Sequence, residues 1–136
     1  MQLGLKDFKR FEKQIILKKV GVAGQKKIIN AKVLIIGIGG LGCPLLTYLA
    51  ASGVGTIGIA DPDKVEISNL NRQMLFSTND IGKYKVDQAK HSINRINNKI
   101  KIKIFKKKIT SKNIKTIIKD FDIICDGTDN FETRYL

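Results

Sequence analysis

Six residues, Gly37-Ile38-Gly39-Gly40-Leu41-Gly42, have the types and spacing needed to hold a phosphate. In such a loop the first glycine permits a tight turn, Gly39 lets the backbone approach an anion, and Gly42 allows the following helix to pack closely. The start of that helix then presents amide N–H groups and a partial positive charge to the ligand. Asp61 follows at about the 20-residue spacing at which an acidic side chain accepts hydrogen bonds from ribose hydroxyls. The same residue, next to Pro62, is also an ordinary strand-end turn former. Neither feature separates NAD, FAD and ATP.

The next segment, Asp61-Pro62-Asp63-Lys64-Val65-Glu66-Ile67-Ser68-Asn69-Leu70-Asn71-Arg72-Gln73, does separate them. Hydride transfer has no general need of Asn69 and Arg72, whereas a triphosphate must be met by fixed cations and amides. Lys85 falls in the first turn of a helix, where the dipole disfavours a cation unless an anion pairs with it. It is also one of many lysines, with Lys83 beside it. Arg72 and Lys85 are candidate phosphate clamps. Farther on, Cys125-Asp126-Gly127-Thr128-Asp129-Asn130 forms a polar turn after a strand, and a carboxylate there can bring Mg²⁺ to phosphates through oxygen. Asp129 is the metal candidate.

The elements that must carry these residues are readable from periodicity. Lys32 to Ile36 is a β-branched run halted by glycines, the mark of a buried parallel strand. Leu45, Leu46, Leu49 and Ala50 place a helix over 41–52, and Thr56 to Ala60 is a second strand, so residues 32–61 span one βαβ unit. Residues 61–80 are polar and irregular, and so long a loop in a compact domain is usually functional. A helix over 83–96, a strand over 100–104 with alternating lysines, a helix over 112–119 and a strand over 121–125 follow. Before the first strand, Phe8, Phe11, Ile15 and Ile16 suggest an amphipathic helix over 7–17, and residues 23–29 a second one. The expectation is an α/β, Rossmann-like, doubly wound and mainly parallel sheet (residues 32–136), incomplete at its C-terminus, behind an N-terminal helical arm (residues 1–31) that serves as a lid or dimer arm.

Composition narrows the class. The 136 residues are 43% hydrophobic, enough for one core. The net charge of +13 raises nucleic-acid or membrane binding. That excess is nearly all lysine, spread among Ile and Asn without Arg-rich or aromatic-interleaved elements, so no dedicated nucleic-acid site is expected. Lys106-Lys107-Lys108 is the simplest kind of solvated turn. No apolar run of about 18 residues and no signal-type N-terminus is present, which reads as a soluble, cytoplasmic protein with no membrane role. Cys43 and Cys125 are far apart and make no metal or dithiol motif. Cys43, at a helix start, has the position of a reactive thiol, but its surroundings favour a packing residue. His91 is alone in mid-helix, as a surface or packing residue.

Taken together, Arg10-Phe11-Glu12-Lys13-Gln14-Ile15-Ile16-Leu17, the Gly37 to Gly42 loop, Asp61-Pro62-Asp63, Ser68-Asn69-Leu70-Asn71-Arg72-Gln73, Ile81-Gly82-Lys83-Tyr84-Lys85 and Thr128-Asp129-Asn130 resemble the ThiF/MoeB/HesA adenylyltransferases, bacterial relatives of ubiquitin-activating enzymes. The likeness runs from about residue 8 to the end and looks nearest to the molybdopterin-synthase members. It implies ATP-dependent activation of the C-terminal glycine carboxylate of a small ubiquitin-like sulfur-carrier protein, giving an acyl-adenylate and pyrophosphate. The carrier would be the small subunit of molybdopterin synthase or, second, the thiamin carrier. Gly37, Gly39, Gly40 and Gly42 would cradle the nucleotide, and Asp61 would bind ribose. Asn69, Arg72 and Lys85 would hold phosphates, with Ser68, Leu70, Asn71 and Asn130 also in contact. Asp129 would bind Mg²⁺. Arg72, Lys85 and Asp129 are the catalytic set in that reading.

Two departures matter. Lys13 stands where relatives of a homodimer carry a second arginine reaching the partner's phosphates, and lysine keeps the charge without the bidentate fork. The chain also ends as Phe131-Glu132-Thr133-Arg134-Tyr135-Leu136 begins a helix, so the remaining strands, the carrier groove, the zinc cysteines and any catalytic cysteine are expected beyond it. Two competing readings stand beside the adenylating enzyme: a truncated, non-catalytic ATP-binding or dimerisation module, and a NAD- or FAD-linked oxidoreductase.

Overall fold

The computed structural model describes residues 3–136. Lys32–Ile36 (β1), Thr56–Ala60 (β2), Lys101–Phe105 (β3) and Ile123–Asp126 (β4) form one parallel sheet in the order β3-β2-β1-β4. In β1, alternate side chains serve opposite faces, which is why an unbroken apolar run suits this position. Val33 and Ile35 join Ile57, Ile59 and residues of Gly42–Ser52 (α3) and Lys85–Ile96 (α4) in the larger core. Leu34 and Ile36 join Ile109 and Ile117, the latter on Ile114–Ile118 (α5), in a smaller core on the other face. Helices therefore cover both faces of a Rossmann-like α/β sheet. Leu46, Ile57, Ile59 and Ile93 are fully enclosed, each contributing about 1.5–3 kcal/mol of burial.

The strand order decides where ligands can sit. From β1 the chain steps outward through β2 and β3, then α5 carries it back to the opposite side of β1 for β4. The carboxyl ends of β1 and β4 thus flank the point where the order reverses, the place where open α/β sheets bind ligands.

Leu5–Ile15 (α1) and Gly21–Asn30 (α2) precede β1. Phe11 and Ile15, one turn apart, are buried. Phe8 and Ile16, expected on the same face, are exposed, and Ile16 follows the last helical residue. Gln14 Nε2 donates to Gln25 Oε1 at 2.9 Å and to the Ser52 carbonyl at 3.1 Å, and Gln25 Nε2 donates to the same carbonyl at 3.0 Å. Asp7 and Lys99 pair at 2.7 Å.

Several element boundaries differ from the sequence expectation. Helix α4 starts at Lys85 rather than Lys83, because Lys64 and Tyr84 form an antiparallel bridge just ahead of it. Phe121 lies before β4, packed edge-on against Phe105 with ring centroids 6.3 Å apart. Within β4, Ile123 and Ile124 are exposed, so this strand is less buried than its apolar run suggested. Among the described residues no helix is long and apolar enough to cross a membrane.

Candidate functional site

A cavity of about 850 Å³ opens at the reversal point. Its floor is the turn after β1. Gly37 has φ of +87°, a left-handed conformation natural only to glycine, and its N–H donates to the Ala60 carbonyl at 2.8 Å. Gly42 opens α3 directly beneath this turn, where any Cβ would collide with the Gly37 carbonyl oxygen. Gly42 is therefore a packing residue and does not line the cavity, whereas Gly37, Gly39 and Gly40 do. A Cβ on Gly40 would meet Arg72 Cδ and Cγ at 3.5 Å, so Arg72 lies across the turn.

Asp61 holds the turn from the side of β2. Its Oδ2 accepts the Ile38 N–H at 2.8 Å and its Oδ1 accepts the Asp63 N–H at 2.8 Å. Burial pushes its carboxyl above the usual carboxylate range, only partly offset by those two N–H groups and by the Lys85 charge. The Asp61 side chain shapes the local turn and also lines the cavity.

The irregular segment after β2 is built from caps. Asn69 Oδ1 accepts the Glu66 N–H at 3.0 Å while the Glu66 side chain caps the Asn69 N–H, a reciprocal box around the 3₁₀ turn Ile67–Asn69. Ser68 and Asn71 aim Arg72, whose Nη1 donates to the Ser68 carbonyl at 3.0 Å and to Asn71 Oδ1 at 3.1 Å. Leu70 packs against the larger core. Of the expected contacts in this segment, Asn69 and Arg72 line the cavity; Ser68, Leu70 and Asn71 do not, and support the two that do.

Lys85 reaches the cavity from the first residue of α4. Its side chain is only 8% exposed, and its Nζ stands 3.7 Å from Asp63 Oδ2. A long cation so enclosed, with one carboxylate at the edge of pairing distance, is suited to a second anion.

The opposite wall is the turn after β4. Gly127 donates its N–H to the Ile36 carbonyl at 2.7 Å, and Gly37 lies against it. Asp126 accepts the Thr128 N–H at 2.9 Å and its hydroxyl at 2.6 Å. Arg134, on the short helix Phe131–Arg134 (α6), braces the turn by donating to Asp126 at 3.2 Å and to the Thr128 carbonyl at 3.0 Å. Desolvation opposes ionisation of Asp126, but Thr128 and Arg134 outweigh it and hold this carboxyl below its usual range. Asp129 and Asn130 project from the braced turn into the cavity lining, and Asn130 Oδ1 also accepts the Thr133 N–H at 2.9 Å.

The glycine turn, Asp61, Asn69, Arg72, Lys85, Asp129 and Asn130 are thus brought together. Lys13 is not: it does not line this cavity, and its exposed ammonium lies 3.8 Å from Glu12. Among the described residues no group of three or more His, Cys, Asp or Glu could hold a metal ion. A lone Asp129 carboxylate is still compatible with Mg²⁺, which is usually held by one or two carboxylates together with substrate phosphates.

The lining residues that sequence reasoning did not name as contacts include Gln73, Lys107, Lys108 and Arg134. The lysines were expected in a solvated turn, but pairing of β2 with β3 carries the end of β3 to the cavity rim. With them, the lining holds the cations Arg72, Lys85, Lys107, Lys108 and Arg134 beside the carboxylates Asp61, Asp63 and Asp129, with Lys108 also paired to Glu132 and Arg134 to Asp126. The only signal for Gln73 was its place in the quoted motif. It is buried, and its Oε1 has no hydrogen-bond partner, a condition that costs about 1–3 kcal/mol. Cys43 is settled as a packing residue: it is buried, and desolvation pushes its thiol up to about 11 despite the Leu75 N–H and Lys85.

The chain is 46% identical over 132 residues to a "Probable molybdopterin-synthase adenylyltransferase" of Porphyra purpurea, covering 97% of this chain and 35% of that protein. It is 41% identical over 127 residues to the "Sulfur carrier protein adenylyltransferase" of Thermus thermophilus, covering 93% of this chain and 47% of that protein. The chain therefore spans between a third and a half of the length of these relatives. Among solved structures, Escherichia coli MccB with ATP matches with a TM-score of 0.69 and 37% identity, covering 74% of this chain and 30% of MccB. Residues 11–136, nearly the whole of this chain, match the ThiF family, and the chain belongs to that family.

Proposed function

We propose that this chain binds ATP in the cavity between the turns after β1 and β4 and uses it to adenylate the C-terminal glycine carboxylate of a small ubiquitin-like sulfur-carrier protein. The observation that carries the reading is the convergence of Arg72 and the enclosed Lys85 on a glycine turn whose far wall presents Asp129. The names of the relatives, sulfur-carrier and molybdopterin-synthase adenylyltransferases, support the same reading. So does a family neighbour solved with ATP.

In this reading Asp61 meets the ribose, Gly39 and Gly40 face the phosphates, and Arg72 and Lys85 balance their charge. Asp129 would hold Mg²⁺, which neutralises phosphate charge. A carboxylate oxygen of the carrier attacks the α-phosphorus; the new carboxylate–phosphorus bond forms as the bond to the β-phosphate oxygen breaks, and pyrophosphate leaves. No protein nucleophile is needed for that exchange. The chain acts by positioning and by fixed charge that requires little reorganisation.

Lys13, outside its own chain's cavity, is assigned to the phosphates of a partner protomer in a homodimer. The first carrier to test is the small subunit of molybdopterin synthase, the second the thiamin carrier.

The test is ATP–pyrophosphate exchange with each carrier, because label returns to ATP only if the acyl-adenylate forms. Exchange that depends on the carrier's terminal glycine supports the reading. ATP binding without exchange points instead to a binding module. Stabilisation by NAD but not by ATP would sink the adenylation reading altogether.

A further inference from the structure

Behind the cavity wall three side chains stand together: Lys64, Tyr84 and Lys106. Lys64 Nζ lies over the Tyr84 ring, 5.2 Å from its centroid, and Lys106 Nζ lies over the same ring at 5.0 Å. Lys106 also pairs with Asp87, in the first turn of α4, at 2.7 Å. None of the three lines the cavity, but each adjoins a residue that does: Asp63, Lys85 and Lys107. Tyr84 has extended backbone, with φ of −62° and ψ of 131°, and successive side chains on extended backbone point to opposite sides. The wall thus has an inner row facing the cavity and an outer row centred on the tyrosine ring.

Backbone hydrogen bonds fix the start of α4 to the segment after β2: the Lys85 N–H donates to the Asp63 carbonyl at 3.0 Å, and the Val65 N–H to the Lys83 carbonyl at 2.9 Å. The link from the start of α4 to the end of β3 is made by side chains, with Lys106 on the Tyr84 ring and on Asp87. Lys64, Lys85, Lys106 and Lys107 put four ammonium groups on adjoining segments, and like charges repel. The face of an aromatic ring attracts cations without carrying a charge of its own. It can therefore hold two of them while adding no carboxylate that would compete for Lys85.

We propose that Tyr84 is a positioning residue: its ring, with Lys64 and Lys106 over it, braces the cavity wall from behind and sets where Lys85 stands. The role rests on the nucleotide reading of the cavity. Tyr84 touches no ligand and acts through Lys85.

Variants of the full chain, compared for MgATP affinity by calorimetry, test this. Tyr84→Phe keeps the ring face and should bind within about twofold of wild type. Tyr84→Leu removes it and should bind about fivefold more weakly. In a Lys85→Ala background the same Tyr84→Leu change should cost less than about twofold, because the group it positions is gone. A full loss in that background assigns the ring to the fold at large and overturns the proposal. So does Tyr84→Leu binding as well as wild type, or Tyr84→Phe binding as weakly as Tyr84→Leu. Should Tyr84→Leu not fold, Lys106→Met takes one cation off the ring and replaces it in both backgrounds, with a loss of about threefold expected only where Lys85 is present. Wild type that binds no MgATP removes the nucleotide reading and this role with it, whereas the outcomes above remove the role alone.

Discussion

The carboxylate of Asp61 accepts the backbone N–H of Ile38 at 2.8 Å, so the end of β2 holds the turn that follows β1. This bond lies in a desolvated place, and burial raises the carboxyl's pKa in the folded chain. A raised carboxyl binds its proton more readily folded than unfolded, so its contribution to stability falls as pH rises from the ordinary carboxylate value through the raised one. Asp80 has the opposite sign. Desolvation opposes its ionisation, but the Ser77 hydroxyl and N–H, Lys83 and Arg95 together lower its pKa. Its stabilisation is present above the ordinary value and disappears as pH falls through the lowered one.

Urea unfolding of Asp61→Asn and Asp80→Asn across pH 3 to 7 should separate the two. The loss caused by Asp80→Asn is expected to be about 1 kcal/mol at neutral pH, as for other capping side chains, and to shrink toward pH 3. For Asp61→Asn the difference from wild type should instead grow on acidification. Parallel pH dependences for both variants would contradict the assignment.

Removing the charge of Arg72 or Lys85 should weaken MgATP binding by tenfold or more, about 1.4 kcal/mol each. The double variant should lose less than the sum, because both act on one group of phosphates. Calorimetric titration of Arg72→Ala, Lys85→Ala and the pair checks this, and unchanged affinity in both single variants would remove these residues from the site.

Two glycines of the same turn should respond differently to alanine. In Gly42→Ala the new methyl collides with the Gly37 carbonyl, so the turn itself must shift. A cost of about 1–3 kcal/mol is expected, seen as a clear fall in melting temperature. In Gly40→Ala the methyl finds ordinary contact at 3.5 Å with Arg72, so stability should stay near wild type while MgATP binding drops. Equal melting temperatures for the two variants would contradict the packing described.

The Cys43 thiol, pushed up to about 11 and buried, should resist alkylation. In a Cys125→Ser background, iodoacetamide at pH 8 is expected to label the protein only after denaturant is added. Labelling of the folded chain at the rate of a free thiol would show that Cys43 is accessible after all.

The sheet and the glycine turn were legible in the sequence because each is a local signal. The β1 run, the α3 periodicity and Thr56 to Ala60 each carry their pattern within a few residues, and β1 and β2 fall where expected. What escaped depends on distant neighbours. Phe121 has the look of a strand residue, but its place is set by Phe105. Lys107 and Lys108 look solvated until the sheet order brings the end of β3 beside that of β2. Asn69 and Asn130 were read as ligand contacts, and their composition gave no hint that each also caps a turn with its Oδ1.

The pairing of β1 with β4 has a kinetic side. The Lys32 N–H meets the Asp122 carboxylate across 90 positions of chain, and the two turns that face each other over the cavity belong to those same strands. Long-range parallel pairing is slow, because the entropy of closing the intervening loop is lost before the contacts reward it. The pocket is thus the product of the most distant encounter in the sheet. A nucleotide with its phosphates on Gly39 and its Mg²⁺ on Asp129 would act as a clasp on that encounter, so refolding traced by a bound nucleotide would report the final closure and not the earlier, local assembly of β1, α3 and β2.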